Sequence, residues 1–199
     1  ARIMYFTYDE YEKNFETIYN LFSKPAIENG SLDKYTKESK NKKGTSLFDK
    51  DFLSLIEKWR ELLATNIAKN NQELDVYSLN NSVQVIIDRI IFLRFAEDKN
   101  VEKYGLLKGS LSTDNIYTNL NKLFLKAHNK YNSGLFEKIE WISDLKISDN
   151  VCRTILQSSY FPECPYEFSI MPIEILGNIY EQFLGKVINI KPSHDITIE

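Results

Sequence analysis

The segment from Leu79 to Asp98 restricts the possible fold more than any other part of this sequence. Its apolar residues recur at alternating intervals of four and three, the spacing that a helix places on one face. These residues are Leu79, Val83, Ile86, Ile90 and Leu93. Further apolar side chains cover most of the remaining helix surface, so neighbours are expected on several sides. The segment predicts an all-α fold, an irregular multi-helix bundle around a central buried helix at about 79–98.

Five charged residues interrupt this apolar helix: Asp88, Arg89, Arg94, Glu97 and Asp98. An isolated buried charge is costly, so each of them needs a partner. Arg94 can reach Glu97 and Asp98, which follow it by three and four residues. Arg89 has no carboxylate at either downstream position, and we expect its partner in another segment, with Glu174 or Glu181 as candidates. The five residues are predicted to form a structural ion network.

The composition sets limits on the class of protein. The chain has 199 residues and is 43% hydrophobic, enough for one domain, or one domain with an extension. Seven Gly and five Pro are few for a protein with many strands. A net charge of −3 argues against a uniformly basic nucleic-acid-binding module, while leaving room for a basic patch. We expect no membrane span and no secretory signal, and two cysteines fit a reducing bacterial cytoplasm.

Two more helices are predicted before the central one. Thr7 can cap a helix running to about Phe22, whose apolar face should pack on something. That face is Tyr8, Tyr11, Phe15, Ile18 and Phe22. Asp49 can cap a second helix, Lys50 to about Asn70, which is an expected antiparallel neighbour of the central helix. Its predicted inward face is Phe52, Ile56, Trp59, Leu63 and Ile67.

After the central helix the predicted elements are shorter. Ser112 or Thr113 can cap a helix to about His128. The range 137–147 fits either a short helix or an irregular strand. Ser148 can cap a helix through Tyr160, and Pro172 suits the first turn of a last helix to about Val187. Residues 191–199 are polar, and we expect them to fray.

No complete catalytic constellation is present in the sequence. There is no glycine-rich phosphate loop. His128 and His194 are not at metal-ligand spacing from each other or from a cysteine, and His128 fits a favourable dipole partner near a helix end. Cys152 fits a core position, whereas Cys164 lies in an irregular segment and could be exposed. We therefore predict no catalytic, cofactor-binding or metal-binding residue in this chain.

Two stretches could contact a ligand. The polar range 30–44 contains five lysines suited to a phosphate backbone: Lys34, Lys37, Lys40, Lys42 and Lys43. A solvated loop explains the same run. The turn from Tyr131 to Phe136 offers Asn132 and Ser133 as hydrogen-bond donors on a loop anchored by two aromatic residues. A tight turn capping a helix is the favoured interpretation of the same residues.

Several segments, in this order, resemble the helical region of type IIG restriction-modification enzymes. They are FLSLIEKWRELLATNIAKNN (52–71), LNNSVQVIIDRIIFLRFAED (79–98), YNSGLF (131–136) and YFPECPYEFSIMPIEILGNIYEQFLGKVI (160–188). Such enzymes join an endonuclease, a helical connector and an adenine-N6 DNA methyltransferase in one chain, and related phage-defence methyltransferases share the helical region. The resemblance covers about residues 47–190 and contains no catalytic signature.

The resemblance implies a fragment of a larger enzyme. Residues 1–46 would be a helix and basic linker leading out of an upstream domain, 47–190 the connector, and 191–199 a tail before the methyltransferase. Expected partners are the nuclease and methyltransferase domains of the same chain, with double-stranded DNA as a further candidate. S-adenosylmethionine and Mg²⁺ are expected only in the parent enzyme.

Phosphate contacts would then come from the 34–43 lysines, Lys99, Lys103 or Lys108. The main alternative is a self-standing helical module that binds another protein, and an enzyme acting alone is the third hypothesis.

Overall fold

The computed structural model describes residues 7–32, 44–112, 114–164, 168, 181, 186–191 and 193–198, with the backbone alone for 44–51. Its contacts divide the chain into two compact units, Ala1–Leu53 and Ser54–Glu199. The predicted all-α class is confirmed, with one small β-hairpin added near the end of the chain. Among the described residues, no helix combines the length and apolarity needed to cross a membrane.

The first unit contains a 3₁₀ turn at Tyr8–Glu10, then α1 (Tyr11–Phe22) and α2 (Lys24–Glu28). Thr7 begins the turn as predicted, and its N–H donates to the Glu10 carboxylate at 3.1 Å. The Ser23 hydroxyl caps α2 by accepting from the Ala26 N–H. The aromatic face of α1 was predicted to pack, but α1 has no buried residue. Phe15 is 62% exposed and Phe22 54% exposed.

The two long helices are α3 (Gly44–Asn70), which crosses the division between the units, and α4 (Val76–Asp98). Asp75 caps α4 by accepting from the Ser78 N–H at 2.7 Å, which lowers the pKa of its carboxyl group. All five residues of the predicted inward face of α3 are buried, among them Trp59 and Leu63. α4 is the predicted central helix, and twelve of its residues are buried.

The remaining helices of the second unit are short, apart from α5 (Ile116–Tyr131). A 3₁₀ helix covers Leu107–Ser112, and another covers Gly134–Phe136. The ambiguous range 137–147 contains one helical turn, α6 (Glu140–Ser143). α7 (Asp149–Gln157) follows Ser148. α5 contacts both 3₁₀ segments and α7, and α4 contacts both 3₁₀ segments, which places α4 centrally in this unit.

The end of the chain differs from the prediction of a frayed tail over 191–199. β1 (Ile188–Ile190) pairs antiparallel with β2 (Ile196–Ile198), with Ile188 opposite Ile198. Isoleucine and threonine favour strands, and Ile188 is fully buried, so β1 has an anchor in the core. The predicted last helix from Pro172 lies outside the described residues, except that Glu181 is helical.

Candidate functional site

The ion network predicted at the end of α4 is present around Arg94. The Arg94 Nη1 donates to Glu97 at 2.9 Å, and Nη2 donates to Asp98 at 2.8 Å. The third nitrogen, Nε, donates to the backbone carbonyl of Ser159 at 3.0 Å. The side chains of Arg94, Glu97 and Asp98 are 3%, 0% and 6% exposed, so these ion pairs form out of contact with water.

The Glu97 carboxylate is the most heavily hydrogen-bonded group in this network. It accepts from the backbone N–H groups of Gly105 at 2.8 Å and Leu107 at 3.0 Å. The Tyr160 hydroxyl also donates to it, at 2.7 Å from Oε1. Burial, and then the nearby Glu97 charge, raise the pKa of Tyr160 well above its ordinary value. Tyr160 therefore stays a neutral donor at physiological pH.

Aromatic rings enclose the Arg94 guanidinium. Its central carbon lies 4.1 Å from the centroid of Tyr160, 5.1 Å from that of Phe168 and 5.5 Å from that of Tyr104. The Phe168 N–H donates to Asp98 at 2.9 Å. One cluster on α4 thus fixes the loop 104–107, the end of the segment after α7, and Phe168. Every ionised group in it is paired, which is the arrangement of a structural network.

Arg89 finds hydrogen-bond partners in another segment, as expected, and the partners that the structure describes are backbone carbonyls. Its Nε donates to the carbonyl of Leu135 at 2.8 Å, and Nη2 donates to that of Glu137 at 2.6 Å. Its guanidinium lies 5.3 Å from the ring centroid of Phe124. Glu181 is exposed, and Glu174 lies outside the described residues. The two carbonyls accept from two of the guanidinium donors, and burial lowers the pKa of Arg89.

The fifth predicted network residue, Asp88, is half-buried and accepts a hydrogen bond from Gln84 on the same helix at 2.7 Å. This contact lies one turn toward the start of α4, away from the Arg94 cluster.

The Tyr131–Phe136 turn is held by its own aromatic residues, as predicted. Phe136 is buried, and both its ring and that of Tyr131 pack edge-on against Phe92 at 5.3 and 5.2 Å. Asn132 is exposed and ends α5 in the left-handed region (φ 46°). The Ser133 hydroxyl accepts from the Leu135 N–H at 3.2 Å. Ser133 is thus engaged in the turn itself, whereas the side chain of Asn132 faces solvent.

The Tyr131 hydroxyl joins this turn to the segment after α4 by donating to Glu102 at 2.6 Å. Burial raises the pKa of Glu102, but hydrogen bonds from Lys130 and Tyr131 outweigh it and lower the pKa overall. Burial and the Glu102 carboxylate raise the pKa of Tyr131 to about 12. Glu102 is therefore an ionised acceptor that holds the end of α5.

The lysines proposed as DNA contacts are only partly described. Lys99, Lys103 and Lys108 are exposed on the segment that follows α4, and the Lys108 ammonium lies 4.4 Å from the Tyr160 ring centroid. Lys34, Lys37, Lys40, Lys42 and Lys43 lie outside the described residues.

Two buried asparagine contacts were missed by sequence reasoning. The Asn71 side chain donates to the carbonyl of Lys146 at 3.1 Å and accepts from its N–H at 2.9 Å. Asn80 makes the same pair of bonds with Ile188, at 2.8 and 3.0 Å. In each case the side-chain amide bonds both the C=O and the N–H of a single residue, in the way that the backbone of a neighbouring strand would. The only available signal is an asparagine beside apolar helix residues.

Two charged residues also have unforeseen partners. Arg60, which is not on the predicted inward face of α3, is 5% exposed and donates to Asn80 and to the Lys186 carbonyl. Burial lowers its pKa. Asp149 accepts from the N–H groups of Asn115 at 2.9 Å and Ile116 at 2.8 Å, so a carboxylate of α7 caps the start of α5.

The two cysteines and one histidine nitrogen are buried. Cys152 is buried as predicted, and burial raises its pKa to about 12. Cys164, for which exposure was left open, is also buried, and its N–H donates to the Tyr160 carbonyl at 2.8 Å. Within the described ranges, no group of three His, Cys, Asp or Glu residues could hold a metal ion. The buried Nδ1 of His128 has no hydrogen-bond partner among the described residues.

An open groove of about 520 Å³ lies between α3 and α7. Leu62, Thr65 and Val151 contribute to its lining together with charged residues of α3. It contains no nucleophile paired with a base.

A comparison with known proteins finds a relative whose sequence aligns with the whole of this chain. The chain is 35% identical over its whole length, 200 aligned residues, to RM.Eco57I of Escherichia coli, a type II restriction enzyme and methyltransferase. The predicted resemblance to type IIG restriction-modification enzymes is confirmed. The chain spans about one fifth of the length of RM.Eco57I. No protein-family model matches the chain, and no solved structure matches it.

Proposed function

We propose that this chain is the helical connector of a type IIG restriction-modification enzyme. It holds an adenine-specific DNA methyltransferase domain at a fixed position relative to an endonuclease domain, and it lines part of the DNA path. The observation that carries the proposal is the identity of 35% along the entire chain to a segment of a protein with both activities. Residues 1–46 are then the exit from the upstream domain, and 47–190 the connector.

The internal contacts suit a part whose task is positioning. Arg94, Glu97 and Asp98 bind backbone groups of three separate segments, and Arg89 binds a fourth. Catalysis by attached domains depends on sub-ångström placement, which a chain with many fixed long-range contacts can provide.

Catalytic chemistry belongs to the attached domains in this proposal. S-adenosylmethionine would bind the methyltransferase domain and Mg²⁺ the endonuclease domain. The described part of this chain contains no group of three His, Cys, Asp or Glu residues that could hold a metal ion. Its own contribution to DNA binding would come from exposed groups such as Lys99, Lys103, Lys108 and Asn132.

A replacement experiment tests the connector role directly. The aligned segment of RM.Eco57I is exchanged for this chain, and DNA cleavage and adenine methylation are measured on the resulting protein. We expect both activities to persist, because the exchanged segment would preserve the spacing between the domains. The control carries a Gly/Ser linker of equal length, which should lose both activities. The proposal would be refuted if the protein with the Gly/Ser linker were as active as the protein that carries this chain. It would also be refuted if the protein that carries this chain folded but had neither activity.

One observation favours a second candidate, a module that binds another protein. The aromatic face of α1 is exposed, with Tyr11 54% and Phe15 62% accessible. Light scattering of the purified chain distinguishes the two. A dimer abolished by Phe15→Ser would support an interaction module, and a monomer at high concentration would count against self-association through this face.

A further inference from the structure

The exposed face of α5 carries lysines and no acidic residue. The helix contains Lys122, Lys126 and Lys130 and neither Asp nor Glu, in a chain whose net charge is −3. The three lysines follow one another at intervals of four, so they lie along one side of the helix, about 6 Å apart along its axis. This local excess of positive charge runs against the balance of the whole molecule.

The orientation of α5 is fixed by its opposite face. Leu120, Phe124 and Ala127 are buried there. The Tyr117 hydroxyl donates to the Ile142 carbonyl at 2.5 Å, and the Asn121 amide donates to that of Ser143 at 3.0 Å. Burial raises the pKa of Tyr117 far above its ordinary value, so this bond persists at every physiological pH. The lysine face is therefore held toward solvent.

Neutral hydrogen-bond donors accompany the lysines. Thr118 and Asn129 are exposed on the same side, and Leu125, which is 49% exposed, is the one large apolar residue among them. A face of this composition suits a polar, negatively charged surface better than an apolar groove.

Two of the three lysines are available for a partner. Lys130 forms an ion pair with Glu102 at 2.8 Å and donates to the Val101 carbonyl at 3.2 Å. Within the described ranges, Lys122 and Lys126 form no ion pair. An exposed lysine pair without counter-charges can displace counterions from a polyanion at little cost in broken contacts.

The Lys130 contacts also extend the basic surface beyond the helix. They hold residues 101–102 against the end of α5, and exposed Lys99 and Lys103 flank those residues in the chain. At the other end, the Asp149 carboxylate already occupies the first N–H groups of α5. An anion would therefore meet the side chains of the helix, not its N-terminus.

We propose that this face of α5 contacts the phosphate backbone of duplex DNA through Lys122 and Lys126. The inference rests on the proposed function, because the DNA would be that of the parent restriction-modification enzyme. Each strand of the duplex presents a charge every ~3.4 Å along the axis, so lysines about 6 Å apart can reach different phosphates. Such contacts position a duplex without reading its sequence.

The test is a fluorescence-anisotropy titration of the 199-residue chain with a 25-base-pair duplex of arbitrary sequence, from 20 to 200 mM KCl. The variant is Lys122→Gln/Lys126→Gln. The matched control is Lys58→Gln/Lys191→Gln, which removes the same charge from exposed lysines on α3 and beside β1. Circular dichroism verifies that both variants fold.

Each phosphate contact contributes about −0.9 to the slope of log affinity against log salt. We expect the slope of the Lys122/Lys126 variant to be less negative than that of the wild-type chain by about 2. We also expect its binding to be roughly tenfold or more weaker at 100 mM KCl. The control should change affinity less than about twofold. Equal losses of affinity in the variant and the control would overturn the inference. So would the absence of binding by the wild-type chain at 20 mM KCl, and an acidic protein surface would then be the remaining occupant of this face.

Failure of this inference is distinguishable from failure of the connector role. An active RM.Eco57I replacement with unchanged DNA binding by the Lys122/Lys126 variant would overturn only the α5 surface. An inactive, folded replacement alongside lysine-dependent binding would overturn only the connector.

Discussion

Arg94→Met tests whether the ion network holds the end of α4 in place. Methionine is long enough to occupy much of the volume between Tyr160 and Phe168, so the substitution removes the charge and its hydrogen bonds with little loss of packing. It leaves the carboxylates of Glu97 and Asp98, 0% and 6% exposed, without their counter-charge.

The magnitude follows from what each carboxylate retains. Glu97 keeps the N–H donors of Gly105 and Leu107 and the Tyr160 hydroxyl, and Asp98 keeps the Phe168 N–H. Removing one partner of a buried ion pair costs about 3–5 kcal/mol. Because these donors continue to solvate both carboxylates, we expect a loss of about 4 kcal/mol in the free energy of unfolding. That is a large share of the roughly 5–15 kcal/mol by which domains are stable.

Urea unfolding followed by tryptophan fluorescence measures this loss, since Trp59 and Trp141 both lie in the second unit. With a slope of about 2 kcal/mol per molar urea, the midpoint should fall by about 2 M. The control is Arg94→Met combined with Glu97→Gln and Asp98→Asn, which removes the uncompensated charges and should recover at least half of the loss. A loss below about 1 kcal/mol, or a combined variant no more stable than Arg94→Met, would contradict the buried network.

Three further predictions concern other buried groups. Arg89→Ala should lower the free energy of unfolding by about 3 kcal/mol in urea titrations, since two charge-assisted bonds to carbonyls are lost, and a midpoint unchanged from wild type would place Arg89 in solvent. Stability should fall as pH rises above about 10, because burial raises the pKa of Tyr117 and Tyr160 in the folded state while the unfolded chain ionises near its ordinary value. In thermal melts, the stability of Tyr117→Phe should fall less steeply with rising pH than that of the wild-type chain. Identical pH profiles for the two proteins would refute tyrosine ionisation as the cause. Ellman's reagent at pH 8 should label Cys152 and Cys164 only after unfolding, and prompt labelling of the native chain would contradict their burial.

The parts predicted from sequence are those governed by a repeating pattern. The period of apolar residues located α4 and the buried face of α3, and a spacing of three and four residues identified the Arg94 pairs. Both depend on helix geometry alone. The left-handed turn at Asn132 and the aromatic anchoring by Phe136 were likewise accessible from local residue types.

The parts that escaped prediction join residues far apart in the chain. Charge pairing suggested a glutamate for Arg89 and gave no indication of the carbonyls that it binds 46 and 48 residues away. Asn71 binds a peptide group 75 residues away, and Cys164 is buried although its neighbours suggested a loop. No local pattern specifies which backbone group a long side chain will meet.

The bonds from Asn71, Asn80 and Arg89 to main-chain atoms have a consequence for divergence within the family. The side chain at the receiving position takes no part in the bond, so exposed Lys146 could be exchanged for most other residues without loss of the contact, whereas buried Ile188 must also stay apolar. Proline is the exception at both positions, because it would delete the N–H that each asparagine accepts from. A relative can therefore vary at an exposed receiving position and keep the contact, provided that the donating side chain is kept.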